Sequence, residues 1–485
     1  MPGPSSAMKK NRFFSFFIVF FFAAAVQAAP KHLTVLHFND LHGHLKADDV
    51  GGVKKGGAAR IATIVGRIEK DNLARGWETL VLFGGDALSG TLISSEFEGA
   101  AEFDFLNMLG VDAMVIGNHE FDNGIPRFQE LIRQASFPIV SANVYWRGSK
   151  DRLVPPSVLI EEDHIKVAIL GLATKETLIT TLPSNVADIF VTDPISEAKK
   201  EMKLLRQAAP FRIALTHLGV EEDVRLAKKV RGLSAVVGGH DHVKPDKYCR
   251  TVRRIPVCQT PAYGYYVGRL DFEIDDKKVR YLGSELIPVT AEVARDHRVA
   301  RMVRSYDRRL SKKYDRVIGR AAQDFYSERG RQTDLGKIIA GAIRWKTGAE
   351  IGFINSGGIR APLRRGPITI RDVAAVEPFP NRLVILDVSG RQLTKALEHG
   401  IKHGHGALLQ VAGMTYEVTK GKPKNIQVGG SPVDPNRVYA AGTVDFLAEG
   451  GLDFKMLKTL RCRQTDTLIR DAVVDYIRNK RIIQP

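Results

Sequence analysis

Five short apolar runs in the first half of this 485-residue chain each empty into side chains that can ligate a metal. Leu33-Thr34-Val35-Leu36-His37-Phe38 leads to Asn39-Asp40-Leu41-His42, and Leu80-Val81-Leu82-Phe83 to Gly84-Gly85-Asp86. Ala113-Met114-Val115-Ile116 leads to Gly117-Asn118-His119-Glu120-Phe121-Asp122. Ile213-Ala214-Leu215-Thr216 leads to His217, and Ala235-Val236-Val237 to Gly238-Gly239-His240-Asp241-His242. Runs of this kind predict buried strands of a single sheet, with their carboxyl ends on one rim, where open α/β sheets place their sites. Hard oxygen mixed with imidazole suits Zn, Mn, Fe or Co, and the lack of Cys among these ligands argues against a structural zinc knot.

Asp40, His42, Asp86, Asn118, His217, His240 and His242 are too many ligands for one tetrahedral site. They are enough for two divalent ions sharing one carboxylate. Asp86 follows two glycines, so its backbone can approach an ion closely and its two oxygens can bridge a pair. Two ions about 3.5–4 Å apart are the usual device for in-line displacement at phosphorus. His119 need not be a ligand; Asp122, three residues on, can orient its ring and keep it protonated as a general acid. A lone buried Asp or His near a strand end is usually a satisfied structural group. His37, His164, His297 and His399 are read that way, and His32, His403 and His405 as solvated.

The remaining sequence sets the context. Lys9, Lys10 and Arg12 precede an apolar stretch, and Val26-Gln27-Ala28 offers a small-x-small cleavage site, the pattern of a secretory leader over 1–28. No other segment reads as transmembrane, so no stable membrane insertion is expected after cleavage. A periplasmic or secreted location follows. The net charge is +17, but the basic residues are scattered and no nucleic-acid-binding motif accompanies them. A basic surface also concentrates small phosphate esters, and these are preferred over a nucleic-acid polymer. Of three cysteines, Cys249 and Cys258 flank a hairpin and can close a short disulfide, while Cys462 reads as a buried thiol.

Strands alternating with helical stretches, such as 58–72 and 195–207, predict an α/β layered first domain over 29–289. Residues 290–314 have helical spacing with Thr290 as N-cap and read as a linker helix. A smaller domain follows over 315–485, with helices near 334–345, 391–398 and 467–479.

At these residues the chain resembles the calcineurin-type metallophosphoesterases, and more narrowly the 5′-nucleotidase / UDP-sugar hydrolase family. The second half resembles it too, at Asn355-Ser356-Gly357-Gly358-Ile359-Arg360, Pro378-Phe379-Pro380-Asn381 and Phe446-Leu447-Ala448-Glu449-Gly450-Gly451. The resemblance implies a four-layer α/β/β/α metallophosphoesterase sandwich, a linker helix and a smaller α+β substrate-binding domain. It implies that Asp40, His42, Asp86 and His242 hold one ion and Asp86, Asn118, His217 and His240 the other. His119 and Asp122 become the catalytic dyad. Arg360 grips the phosphate and Asn381 lines its pocket, with Arg364 and Arg382 as further candidates. The family sandwiches a base between two aromatic rings. Phe446 fits one ring, and Leu408 stands at the expected place of the other. The family's ribose carboxylate reads Leu452, with Asp453 one place late. His242 departs from the Gln or Asn often found there.

The implied activity is a two-metal phosphohydrolase releasing phosphate from nucleoside 5′-monophosphates and also cleaving UDP-sugars. Other esters are the runner-up: a 2′,3′-cyclic nucleotide, a sugar phosphate or a thiosulfate ester. A non-catalytic surface binding protein is the alternative of another class. It could lose ligands without penalty, whereas all seven ligands and the dyad are present here.

Overall fold

The computed structural model describes residues 31–162, 165–275, 278–404 and 406–485. The leader expected over 1–28 and the readings of His164 and His405 lie outside these residues.

The first half is built on two six-stranded sheets. One runs in the order Lys278–Pro288, Tyr266–Asp275, Lys31–Phe38, Glu78–Phe83, Ala113–Val115 and Ile139–Val140. The other runs Cys249–Val252, Ile255–Gln259, Ala235–Gly238, Phe211–His217, Ile165–Ala173 and Ser157–Glu162. The five ligand-bearing runs therefore divide between two sheets, three in the first and two in the second, rather than sharing one. The reason lies in burial on both faces, which makes every strand a continuous apolar run whichever sheet it joins.

Alternation along each strand assigns the layers. Val35, Leu80 and Leu82 of the first sheet meet Ile213, Leu215 and Val237 of the second in a shared core. Their neighbours Leu36, Val81 and Phe83 turn outward, beneath Ile61 and Ile64 of the helix Ala58–Leu73. Ala214 and Val236 turn outward beneath Ala198 and Met202 of the helix Pro194–Ala208. The result is the four-layer α/β/β/α sandwich. Lys31–Phe38, Glu78–Phe83 and Ala113–Val115 are mutually parallel, as are Phe211–His217 and Ala235–Gly238. Their carboxyl ends, and the loops leaving them, gather at one seam.

The second half has a five-stranded sheet, ordered Leu409–Ala412, Ile351–Asn355, Val438–Val444, Arg382–Ser389 and Cys462–Leu468. Helices Asp334–Thr347, Gly390–His403 and Ile469–Lys480 pack on it around Phe353, Leu386 and Leu397. Thr333 caps the first of these through Gly336 N, and Ser389 with Gln392 forms a capping box on the second.

The helix between the halves starts later than expected, at His297, and runs to Tyr314. Asp296, not Thr290, is its N-cap, accepting from Val299 N at 2.8 Å; Thr290 instead pairs with Lys55 in an isolated bridge. Val299, Val303 and Leu310 bury in the first-half core. Asp307 on the same helix accepts from Arg371 Nη1 of the second half at 2.8 Å.

Cys249 and Cys258 face each other across a hairpin and are joined by a disulfide. Cys462 is exposed, not buried, because it opens the strand at the edge of the second-half sheet. His32 is not simply solvated, since its ring stacks on Trp77 with centroids 4.5 Å apart. His37 is structural: it is buried against Tyr248 Oη at 3.1 Å, and burial pushes it down to about 3.

Glu102 is fully buried on the helix Ala100–Leu109, and burial pushes its carboxyl from 4.5 up to about 7. The folded state thus holds a proton that the unfolded state releases, and stability falls as pH rises from about 4.5 through about 7. Glu102→Gln should remove that loss. Melting curves should show a gain on the order of 1–3 kcal/mol at pH 8 and little change at pH 5. Equal shifts at both pH values would assign the effect to packing.

A candidate metal centre at the seam of two sheets

The ligand loops are bent by left-handed backbone. Asp40 (φ 51°), His42 (48°), Asp86 (56°), His240 (100°) and His242 (49°) all occupy a region that residues other than glycine rarely adopt. Such conformations persist where surrounding contacts over-determine them, and they cluster at functional sites. Here the contacts are visible. Asp40 N donates to Gly85 O at 2.9 Å, and His42 N to Asp86 O at 3.1 Å. The Asp40 carboxylate accepts from His240 N at 3.0 Å, tying a first-sheet loop to a second-sheet loop. Asn39 Oδ1 accepts from Thr260 N at 2.9 Å. The glycines of the motifs make room: a Cβ on Gly117 would overlap the Asp86 carboxylate, and one on Gly85 or Gly239 would press on His217 Nδ1.

Three groups of ligand atoms form, each within 4.8 Å: Asp40, His42 and His242; His42, Asp86 and His119; and Asp86, His217 and His240. Asp86 belongs to two of them. Its Oδ2 lies 3.1 Å from His217 Nε2 and 3.8 Å from His42 Nε2.

Hydrogen bonds fix which ring atoms face inward. His42 Nδ1 donates to Ser89 O at 3.0 Å, and His217 Nδ1 to Gly84 O at 2.7 Å. In the neutral ring both Nε2 atoms then carry the lone pair, the state a metal ligand needs. His42 Nε2 and His242 Nε2 approach to 2.9 Å, as two nitrogens aimed at one point would. Among the described residues Asn118 Oδ1 is buried with no hydrogen-bond partner, and His217 Nε2 meets the Asp86 carboxylate at 3.1 Å. Buried polar atoms rarely stay unpaired, so this arrangement fits a cation.

Electrostatics agrees. Burial alone would raise the Asp40 and Asp86 carboxyls, but His242 beside Asp40 and His217 beside Asp86 hold both below the usual range. Burial would lower His217, yet Asp86 and Asp40 pull it up to about 10. The pocket's negative charge demands a positive partner, and a divalent cation meets the same demand. Burial keeps His42 neutral.

Beside this cluster His119 Nδ1 donates to Asp122 Oδ2 at 2.7 Å. Burial disfavours its charged form, but the Asp122 and Asp86 carboxylates outweigh that and raise its pKa. Asp122 Oδ2 also accepts from Ser89 Oγ at 2.5 Å, and its Oδ1 from Thr181 Oγ1 at 2.6 Å.

The cluster opens into a cleft of about 1180 Å³ between the two halves. Arg360, Asn381, Phe446 and Asp453 line it from the second half, as do Arg382 and Leu452. The Phe379 ring stacks on His119 with centroids 6.0 Å apart, and the Arg360 guanidinium lies 5.8 Å from that ring. Two expected residues are not brought here. Leu408 is buried but does not line the cleft. Arg364 is exposed and paired with Asp324 Oδ2 at 3.2 Å.

Several residues escaped the sequence reading. Glu120, buried, accepts from the backbone N of Asp86 (3.0 Å), Ala87 (2.8 Å) and Gly117 (2.7 Å), so it pins two ligand loops together. A carboxylate between two ligand-motif residues was the available signal. Phe379 sits in a quoted motif and was given no role. Ser89, Thr181 and Glu176, whose Oε2 is 3.1 Å from His240 Nε2, carry no local sequence signal.

The sequence matches two family descriptions: calcineurin-like phosphoesterase over residues 33–244, and 5′-nucleotidase, C-terminal domain, over residues 317–459. UshA of Escherichia coli K12 is 31% identical, covering 86% of this chain and 86% of that protein. A 5′-nucleotidase of Vibrio cholerae is 30% identical over 86% of this chain and 85% of its own length. A solved 5′-nucleotidase precursor from Thermus thermophilus superposes with a TM-score of 0.83 at 29% identity, covering 93% of this chain and 97% of that one.

Proposed function

Because the chain belongs to the family of calcineurin-like phosphoesterases that carry a 5′-nucleotidase C-terminal domain, we propose that it is a periplasmic two-metal hydrolase of nucleoside 5′-monophosphates that also cleaves UDP-sugars. Membership makes it a metal-dependent phosphoester hydrolase acting on nucleotides. The observation that carries the finer reading is Asp86, grouped with His217 and His240 on one side and 3.8 Å from His42 Nε2 on the other, on the wall of a cleft between the halves.

In this reading Asp40, His42, Asp86 and His242 hold one divalent ion, and Asp86, Asn118, His217 and His240 the other. Zn, Mn, Co and Fe all suit the donor set. When bound, such a pair acidifies water near neutral pH and offsets charge building on the phosphoryl oxygens. The chain's own groups do the rest. His119 Nδ1 is committed to Asp122, so Nε2 carries the proton delivered to the leaving oxygen. Arg360 orients the phosphate from the opposite wall. Phe379 and Phe446 are both on the cleft wall, and in this reading the face of Phe379 turned from His119 takes the place in base stacking that Leu408 was expected to fill. Leu452 (φ 50°) and Asp453 (φ 63°) both turn through left-handed backbone on that wall, and in this reading the Asp453 carboxylate, paired with Lys455 Nζ at 2.7 Å, accepts from a sugar hydroxyl. The disulfide and the leader motif support an oxidising compartment outside the cytoplasm; a mature chain starting at Ala29 in periplasmic extracts is the expected result of N-terminal sequencing.

The test is hydrolysis of AMP, UMP, UDP-glucose, cyclic nucleotides and bis-aryl phosphates with Mn, Co or Zn added, followed as released phosphate for the monoesters and as the released monoester or phenol for the others. AMP and UMP should lead, and cleavage of bis-aryl phosphates alone would discard the nucleotidase reading. Arg360→Ala should raise KM for AMP by about tenfold or more, since a charge-assisted grip on phosphate is lost. An unchanged KM would put the phosphate elsewhere.

A further inference from the structure

The segment 174–187 joins the strand Ile165–Ala173 to the strand Ile189–Val191. It contains the short helix Thr177–Thr180 and the turn Pro183–Val186, and it touches three functional parts of the molecule. Thr181, itself 2% exposed, donates from Oγ1 to Asp122 Oδ1 at 2.6 Å. Asn185 Nδ2 donates to the Asp122 backbone O at 2.8 Å. Leu182 packs against the core of the second half, and Ser184 N donates to Glu449 Oε2 there at 2.9 Å. Glu176 meets His240 Nε2 at 3.1 Å.

A carboxylate that accepts from a histidine through one oxygen can still pivot about its side-chain torsions. Asp122 is denied that freedom because Thr181 holds the other oxygen. Of the two hydroxyls on Asp122, Ser89 is on a ligand loop, but Thr181 is on a segment fastened to the second half. We infer that Thr181 is a positioning residue for protonation of the leaving group, and that segment 174–187 transmits the docking of the second half to the His119–Asp122 pair. This rests on the reading of His119 as general acid. As a water oxygen forms its bond to phosphorus and gives up a proton to solvent, the bond from phosphorus to the leaving oxygen breaks; that electron pair stays on the leaving oxygen, which takes the proton from His119. An alkoxide leaving group needs that proton, whereas p-nitrophenolate leaves without it. A misplaced acid therefore slows one class of substrate and spares the other, which a general loss of structure would not do.

The experiment compares kcat for AMP and for p-nitrophenyl phosphate in the full-length protein loaded with Mn. Thr181→Val should lower kcat on AMP about tenfold, with KM little changed, and on p-nitrophenyl phosphate less than about twofold. Thr181→Ser, which keeps the hydroxyl, should restore AMP turnover. Glu449→Ala should reproduce the split at smaller size, because the fastening is cut at its far end. His119→Asn serves as the reference. If it shows the split and Thr181→Val loses both substrates equally, or neither, the positioning role is overturned while the general acid stands. If Glu449→Ala shows no split, the coupling to the second half is overturned. If His119→Asn itself shows none, the general-acid reading fails and takes the positioning role with it.

Discussion

Asp86→Asn should lower phosphate release by roughly 10³-fold or more, the loss expected where, as proposed, one carboxylate serves both halves of a two-ion site. Asn keeps the shape of the side chain and can still accept from His119 N, as Asp86 Oδ1 does at 2.9 Å. The loop is therefore expected to fold. What disappears is the negative charge, and with it the ability of the second oxygen, 3.1 Å from His217 Nε2, to act as an anionic ligand. Metal analysis of the purified variant should show both ions depleted together. Near-normal turnover, or loss of a single ion with the other fully retained, would refute the shared ligand.

His119→Asn should reduce kcat on nucleotides by roughly 10²–10⁴-fold, the usual contribution of a general acid, while metal content stays unchanged. The second outcome matters as much as the first. His119 lies within 4.8 Å of His42 and Asp86 ligand atoms, so a direct ligand role has a geometric basis. Its bond to Asp122 at 2.7 Å argues for the acid instead, since that carboxylate holds a proton on the ring. Metal lost along with activity would convert His119 into a ligand and dissolve the dyad.

Much of this molecule was legible because burial on both faces writes strands as unbroken apolar runs, and each run stops at a polar side chain that joins one cluster. Asp40, Asp86 and His217 could be found that way. The apolar runs alone did not divide the strands between two sheets, since Leu80 and Leu215 look alike in sequence although they approach the shared core from opposite sides; the family resemblance supplied the two-sheet sandwich. Local chemistry found the pair His119 and Asp122, three residues apart. Thr181 was out of reach, because it meets Asp122 across 59 residues and nothing beside it in the chain marks it. Leu408 and Phe379 show a different limit. The family resemblance matched its second ring position to Leu408, which does not line the cleft, whereas the Phe379 ring earlier in the chain, in the Pro378-Phe379-Pro380-Asn381 motif, does. Cys462 followed the statistical habit of cysteine to bury, which an edge strand overrides.

The ligands come from loops of both sheets, and this has a bearing on how the sandwich stays closed. Asp40, His42, Asp86 and Asn118 follow strands of one layer, and His217, His240 and His242 follow strands of the other. In the proposed site a cation seated among them would be a rivet through the two layers, and part of the cohesion of the first half would then be set by the ion concentration outside the molecule. Scarcity of the metal would then threaten the lifetime of the protein as well as its turnover.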